Sequence, residues 1–396
     1  MSVPRPFAGL DRRTAWLRLV LLGACFIGLI ASHNLWINAR LYPLLPIRPW
    51  FPTLPAPWDA VRFGAMLLTL VLAAWFYRTA VVAFLILALH AYGEDQTRGQ
   101  PWLYLYWVML WFTLLPAPAA VAACRCAISV AYLWSGIQKC NARFFKVIPA
   151  WFVEPATHWH LPGATITALR WSFATAPFLE LAIGLALWSR RTRRAAIVAT
   201  VVLHSVALFF LGPLGQNYDF IVWPWNLAMI GLVLVLFARC QPGDAGILPT
   251  LTAFRGRPIT MAALLLYSLL PVLSFVGCWD SYFSFSLYAE NLTTANVFIT
   301  QAFADRLPPP LRAQVRPWTY YDPQYQAPFL FTYGLWCWHD LGVPFNQEPR
   351  IYRALYQYLR TYSREPGDLR MLIGRRNQPV IFLEGDKELL LPSVQQ

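Results

Sequence analysis

Residues 119–145, AAVAACRCAISVAYLWSGIQKCNARFF, open as an apolar run interrupted only by Arg125 and close on Gln138, Lys139, Asn141 and Arg143. At 1.5 Å per helical residue, a run of about 20 residues covers the roughly 30 Å of bilayer hydrocarbon. Similar runs recur near 15–33, 61–77, 102–118, 164–188, 195–213, 220–239 and 258–277, with a shorter one near 79–92 separated from its predecessor by Arg78. The pattern predicts an all-α polytopic membrane bundle of about nine transmembrane helices. The partner implied first is the lipid bilayer itself.

Composition supports that reading. Hydrophobic residues make up 58% of the 396 and charged residues 13%, against about 45–50% and about 25% in soluble domains. Purely soluble, disordered and collagen-like classes are excluded. The net charge of +13 is dispersed between apolar runs instead of forming one basic face, so nucleic acid is not expected as a partner. Leu22-Gly23-Ala24-Cys25 has a lipobox-like look. Apolar sequence continues past Cys25, however, so the first run reads as a span and not as a cleaved signal. The seven cysteines show no CxxC pair and no zinc-type spacing, so no metal site is expected. Cys278 and Cys337 can form one bridge or remain buried thiols.

Residues 1–14 read as a cytoplasmic N-terminus, 15–278 as the transmembrane domain and 279–396 as a small extracytoplasmic domain of mixed α/β structure. Tyr282 to Tyr288 and Val380 to Leu383 alternate like strands, and Pro349 to Thr361 like a helix. Retention of basic residues on the cytoplasmic side puts Arg12, Arg13, Arg78, Arg125, the SRRTRR loop at 189–194, Arg239, Arg255 and Arg257 inside. The C-terminal domain then lies outside. The outer loops still carry Arg40, Arg48, Arg98, Lys139, Arg143 and Lys146, so something besides topology holds cations there.

Ionisable groups within spans cost about 2.5–3.5 kcal/mol each on the insertion scale and so face a cavity or a partner. Four places qualify: Asp95, Arg98, Gln100 and Trp102 in GEDQTRGQPW; Lys139, Asn141 and Arg143; Glu154 in the aromatic loop 151–160; and Glu180, His204, Asn217, Asp219 and Asn226. Ser135 and Gly136 permit close backbone approach one turn before Lys139. Glu154 is expected to pair with Lys139 or Arg143, and Glu180 with His204. Pro224 removes a donor, so Asn226 either satisfies a freed carbonyl or lines a ligand cavity. Most of these positions fall at the outer span ends, which implies an outward-facing polar chamber beneath the C-terminal domain.

YLWSGIQKCNARFF, 132–145, followed by an interfacial loop and a span containing Glu180, resembles the domain shared by vitamin K-dependent gamma-carboxylases and the bacterial horizontally transferred transmembrane (HTTM) family. The resemblance covers roughly residues 60–240. It implies about nine spans, an outward C-terminal domain, a bacterial cytoplasmic membrane location and, as cofactor, a reduced quinone whose oxygenation yields a strong base. Lys139 matches the second lysine of the family's pair. Gln138 stands where the first would be, Asn141 holds the usual aspartate position, and the family's Asn-His stretch has no counterpart near Trp102. On this reading Lys139 is the base, Asp95 orients it, and Arg98 and Arg143 stabilise an anion. The alternative is a nonenzymatic binding or assembly factor that holds a lipid or peptide and docks a partner through its C-terminal domain.

Overall fold

The computed structural model describes residues 9–239, 252–317, 329–375 and 378–392. The described chain is mostly helical, with a small antiparallel sheet in its C-terminal part. Four helices are long and apolar enough to cross a membrane: α1 (Arg12–Ala31), α5 (Ala117–Lys139), α9 (Arg193–Leu211) and Pro258–Val276, which begins as α11 (Pro258–Leu269). Between them lie α2 (Trp58–Leu72), α3 (Tyr77–Glu94), α4 (Pro101–Phe112), α6 (Ala142–Val153), α7 (Gly163–Ala174), α8 (Ala176–Ala186) and α10 (Val222–Val233).

Several expected spans are therefore shorter or interrupted, and the interruptions fall beside prolines. Pro177 has no N–H to donate to Phe173, so the run 164–188 breaks at Thr175 into α7 and α8. Pro116, in an extended conformation, separates α4 from α5. The last run keeps its length: a 3₁₀ stretch that begins at Leu270, just before Pro271, carries it on to Val276. Pro224, by contrast, sits in the first turn of α10, where its missing donor is an orphan position anyway, and does not open that helix.

α1 starts where the Asp11 side chain accepts from Arg13 N and Thr14 N. It buries Leu17, Leu21, Cys25 and Gly28 on one helical stripe. The Trp102 ring lies where a Cβ on Gly28 would sit, 2.7 Å away. The start of α1 meets the end of the α10 region through Arg13 and the Arg239 carbonyl. Trp188, beside the 189–194 loop, packs near Phe237, with ring centroids 6.3 Å apart. The far end of α1 leads to Tyr42, whose ring packs 4.8 Å from Trp336. Arg13, Arg239 and the 189–194 loop therefore share the end of the bundle opposite the C-terminal part.

The C-terminal part builds a six-stranded sheet ordered β2-β3-β1-β4-β5-β6 from β1 (Thr294–Ile299), β2 (Val315–Pro317), β3 (Phe329–Phe331), β4 (Leu369–Gly374), β5 (Val380–Glu384) and β6 (Lys387–Leu391). In the β1–β4 register, Val297 opposes Met371 and Ile299 opposes Leu369. These inward residues are buried, and so are Ile351, Tyr352, Leu355, Tyr356 and Leu359 of the helix Pro349–Arg360. The expected strand over Tyr282 to Tyr288 is instead a 3₁₀ turn followed by left-handed residues. Its aromatic rings pack on the helices, which overrides the alternation: Phe283 stacks on Tyr104 at 4.6 Å. Cys278 is exposed and Cys337 buried, and both are free thiols.

The packing that positions the site is α5 against α8. A Cβ on Gly136 would stand 2.6 Å from the Pro177 carbonyl, and one on Gly184 would stand 2.9 Å from the Leu133 side chain. Small residues at both crossings let the backbones close up, as in membrane helix pairs generally. Gly136→Ala must push backbone away and is expected to cost about 1–3 kcal/mol. Gly64→Ala meets nothing within 4 Å and is expected to be neutral or to stabilise by about 0.5–1 kcal/mol. Thermal unfolding midpoints in mild detergent should move in these different directions.

Candidate functional site

The expected polar residues separate into two clusters. In the first, the acidic end of α3 meets three arginines. Glu94 pairs with Arg62 and Arg98, and Asp95 pairs with Arg40. Arg98 also donates Nε to the Leu35 carbonyl at 3.0 Å, Nη1 to Ala91 O at 3.1 Å and Nη2 to Asn38 Oδ1 at 2.8 Å. Asp95 accepts from Thr97 N at 3.0 Å and Thr97 Oγ1 at 2.7 Å. Burial pushes the Asp95 carboxyl up, but Arg40 and Arg98 outweigh it and hold the group below its ordinary value. Glu94, Asp95 and Arg98 are all fully buried. They form a closed network that pins the loop after α1 to the end of α3.

Asp95 therefore does not orient Lys139. Gln100 donates to Thr97 O at 2.9 Å and to Pro344 O at 3.4 Å, and Trp102 is buried against α1. Asn141 is the N-cap of α6, accepting from Phe144 N at 2.9 Å and donating to Ala289 O at 2.6 Å. Arg143 pairs with Glu290 at 2.8 Å. Glu154 and Asn217 are exposed, so the pairing of Glu154 with Lys139 or Arg143 is replaced by Glu180 and Glu290. These acids explain cations in the expected outer loops: Arg40, Arg98, Lys139 and Arg143 each have a carboxylate partner.

The second cluster lies on the wall of a cavity of about 520 Å³ between α5, α6, α7, α8, α9, α10 and the C-terminal residues Phe285, Leu287 and Tyr288. Its surface is chiefly apolar, from Ile148, Phe152, Leu169, Phe173, Phe210 and Met229 among others. Lys139, at the last turn of α5, donates to Glu180 Oε1 at 3.1 Å and Oε2 at 2.9 Å, and to Ser135 Oγ. Glu180 pairs with Lys139 and not with His204. The reason is the α5–α8 crossing, which sets the two side chains within one turn of the Gly136 contact.

His204 is held by Tyr132 and Asn226 instead. Asn226 Nδ2 donates to Val222 O at 2.6 Å, which turns its Oδ1 toward His204 Nδ1, also at 2.6 Å. Nδ1 then carries the proton of the neutral imidazole, and Nε2 accepts from the Tyr132 hydroxyl at 2.6 Å. Asn226 thus satisfies a carbonyl and lines the cavity at once. Of the expected residues, Lys139, Glu180, His204 and Asn226 share this cavity. Sequence reading missed Tyr132 as the histidine's partner, and Glu94, Arg40 and Arg62 as the first cluster's partners. Glu94 stands one turn before Arg98, whereas Arg40 was visible as a charge next to an apolar run but nothing local links it to Asp95, 55 residues on. Among the described residues, no three metal-ligating side chains converge.

The two clusters should answer mutation differently. Arg98→Ala leaves Glu94 buried and short of a partner, and a stability loss of about 3–5 kcal/mol is expected. Arg143→Ala removes an exposed pair and should change stability by about 1 kcal/mol or less. Folded yield and thermal midpoint in detergent check both. No family model, curated protein or solved structure matches this chain.

Proposed function

We propose that this chain is a multi-pass membrane protein that holds a neutral, lipid-soluble ligand in the 520 Å³ cavity and acts on it by acid–base chemistry through Lys139 and Glu180. The observation that carries the reading is an electroneutral polar strip on a chiefly apolar wall: one ammonium, one carboxylate, and the uncharged Ser135, Tyr132 and Asn226 beside His204. An anionic headgroup would find the ammonium already neutralised by Glu180. A carbonyl- or hydroxyl-bearing ligand would find hydrogen-bond partners without needing an unpaired charge. The pair can pass a proton between its members as charge develops on a bound molecule.

By the resemblance noted above, the first ligand to test is a reduced quinone, in a bacterial cytoplasmic membrane protein of HTTM type. Nine crossings with the N-terminus inside and residues 279–396 outside belong to the same proposal. Support comes from the clustering of Arg13, Arg239 and the 189–194 loop at one end and the C-terminal part at the other.

A second reading, a nonenzymatic factor that docks a partner, is favoured by the edge strand β6, exposed along all five residues. Deleting residues 279–396 does not test it cleanly. The C-terminal part supplies cavity wall and partners for Gln96, Gln138 and Asn141, so its removal is expected to unfold the bundle. Substitutions in the cavity separate the readings. Mass spectrometry of molecules extracted from detergent-purified protein should show a neutral lipid-soluble compound in the wild type that is lost in Ala207→Trp, which fills the cavity. Lys139→Arg keeps the charge but does not readily release its proton. It should retain the compound in a different chemical form if the pair is catalytic, and in the same form if the protein only binds. Equal, unselective lipid in wild type and Ala207→Trp would sink the ligand reading.

A further inference from the structure

The cavity is roofed by Phe285, Leu287 and Tyr288, from a segment of unusual backbone that is bonded to a second such segment outside the cavity lining. In the loop between α9 and α10, Asn217 and Asp219 have φ of 47° and 58°; in the C-terminal segment, Phe285, Tyr288 and Glu290 have φ of 58°, 53° and 58°. Left-handed backbone at five non-glycine residues is costly and persists only where surrounding contacts enforce it. One side-chain hydrogen bond joins the segments: the Tyr288 hydroxyl, on a residue that lines the cavity, donates to Asp219 Oδ2 at 2.7 Å. Asp219 is completely buried, and its other oxygen, Oδ1, has no hydrogen-bond partner. Gln216 anchors the loop to the Trp151 carbonyl, and Trp151 stacks on Tyr288 at 5.8 Å.

We propose that the Asp219–Tyr288 contact is a proton-operated latch that holds segment 285–290 closed over the cavity, a regulation of the site that rests on the cavity taking a ligand. The groups facing Asp219 are Tyr288 from the C-terminal segment, Tyr282 from the turn before it and Tyr218 from its own loop, with Cys337 behind Tyr218. Glu290 is committed to Arg143. Among the described residues no lysine or arginine forms an ion pair with Asp219. Burial, only partly offset by the Tyr288 hydrogen bond, pushes the carboxyl up to about 7.

The sign follows from comparing closed and open states. With the roof closed the carboxyl holds its proton up to about 7; with the roof open it meets water and returns toward its ordinary value. The closed state binds the proton more tightly, so it is favoured at acid pH and loses ground as pH rises through the interval up to about 7. Proton loss leaves a buried carboxylate without a cation, and opening hydrates it.

The test is hydrogen exchange, read by mass spectrometry on peptides covering 282–291 of the ligand-free full chain in mild detergent and corrected for intrinsic chemical rates. Opening in the wild type should rise roughly tenfold between pH 6 and pH 8.5, the ratio that linkage gives for such a carboxyl. Asp219→Asn should flatten the profile. Tyr288→Phe should raise exchange at pH 6 while keeping the slope, and it serves if the asparagine variant does not fold. A flat wild-type profile, an unchanged slope in Asp219→Asn, or Tyr288→Phe indistinguishable from wild type would overturn the latch. A missing slope with a retained small molecule sinks the latch alone, whereas a slope with no retained molecule sinks the ligand reading alone.

Discussion

Everything at the candidate site depends on how closely α5 and α8 approach. Two helices of ordinary side chains lie about 8–10 Å apart. Here glycine at positions 136 and 184 removes the spacer on each side, and the last turn of one helix comes within reach of the carboxylate on the other. An ammonium and a carboxylate taken separately into an apolar wall would each carry a heavy desolvation cost. Joined through both carboxylate oxygens, with Ser135 taking a remaining proton, they can stay in the cavity wall. The small residues are therefore as much part of the site as the charges.

The contrast with the first cluster shows what distinguishes a site from scaffolding. Glu94, Asp95 and Arg98 are as charged as Lys139 and Glu180 and more deeply buried, but they face one another and backbone carbonyls, and none of them lines the 520 Å³ cavity. Their function is mechanical: they tie the segment after α1 to the end of α3, and Gln96 next to them carries the tie on to Arg350 of the C-terminal part. A polar network whose members are largely satisfied by one another specifies geometry, whereas one bordered by empty apolar volume invites a ligand.

Much of the fold was legible in the sequence, for reasons that also set the limit. Apolar run length announces a bilayer, and the four long helices answer to it. Run length does not register a backbone donor missing at Pro177, so it overstated continuity there. Lys139, Glu180, His204 and Asn226 stood out because lipid penalises polarity, and they do share one cavity. Their pairing was misjudged because Glu180 and His204 both sit deep in apolar runs and looked complementary, while the deciding fact was the α5–α8 crossing. The strand pattern at Tyr282 to Tyr288 failed for a related reason: alternating aromatics there serve tertiary ring contacts and not a ladder. The helix Pro349–Arg360 and strand Val380–Glu384 followed their periodicity.

The C-terminal part is woven into the helical part through pairs very distant in the chain: Tyr42 with Asp340, Gln96 with Arg350 and Gln138 with Asn291. The membrane helices emerge from the ribosome long before these partners exist. Until residues 285–350 arrive, Gln96 and Gln138 lack their partners from that segment, and the cavity lacks one of its walls. A quality-control system that samples unsatisfied polar groups within nascent helices would thus meet this protein as unfinished for most of its synthesis. The last third of the chain is its certificate of completion.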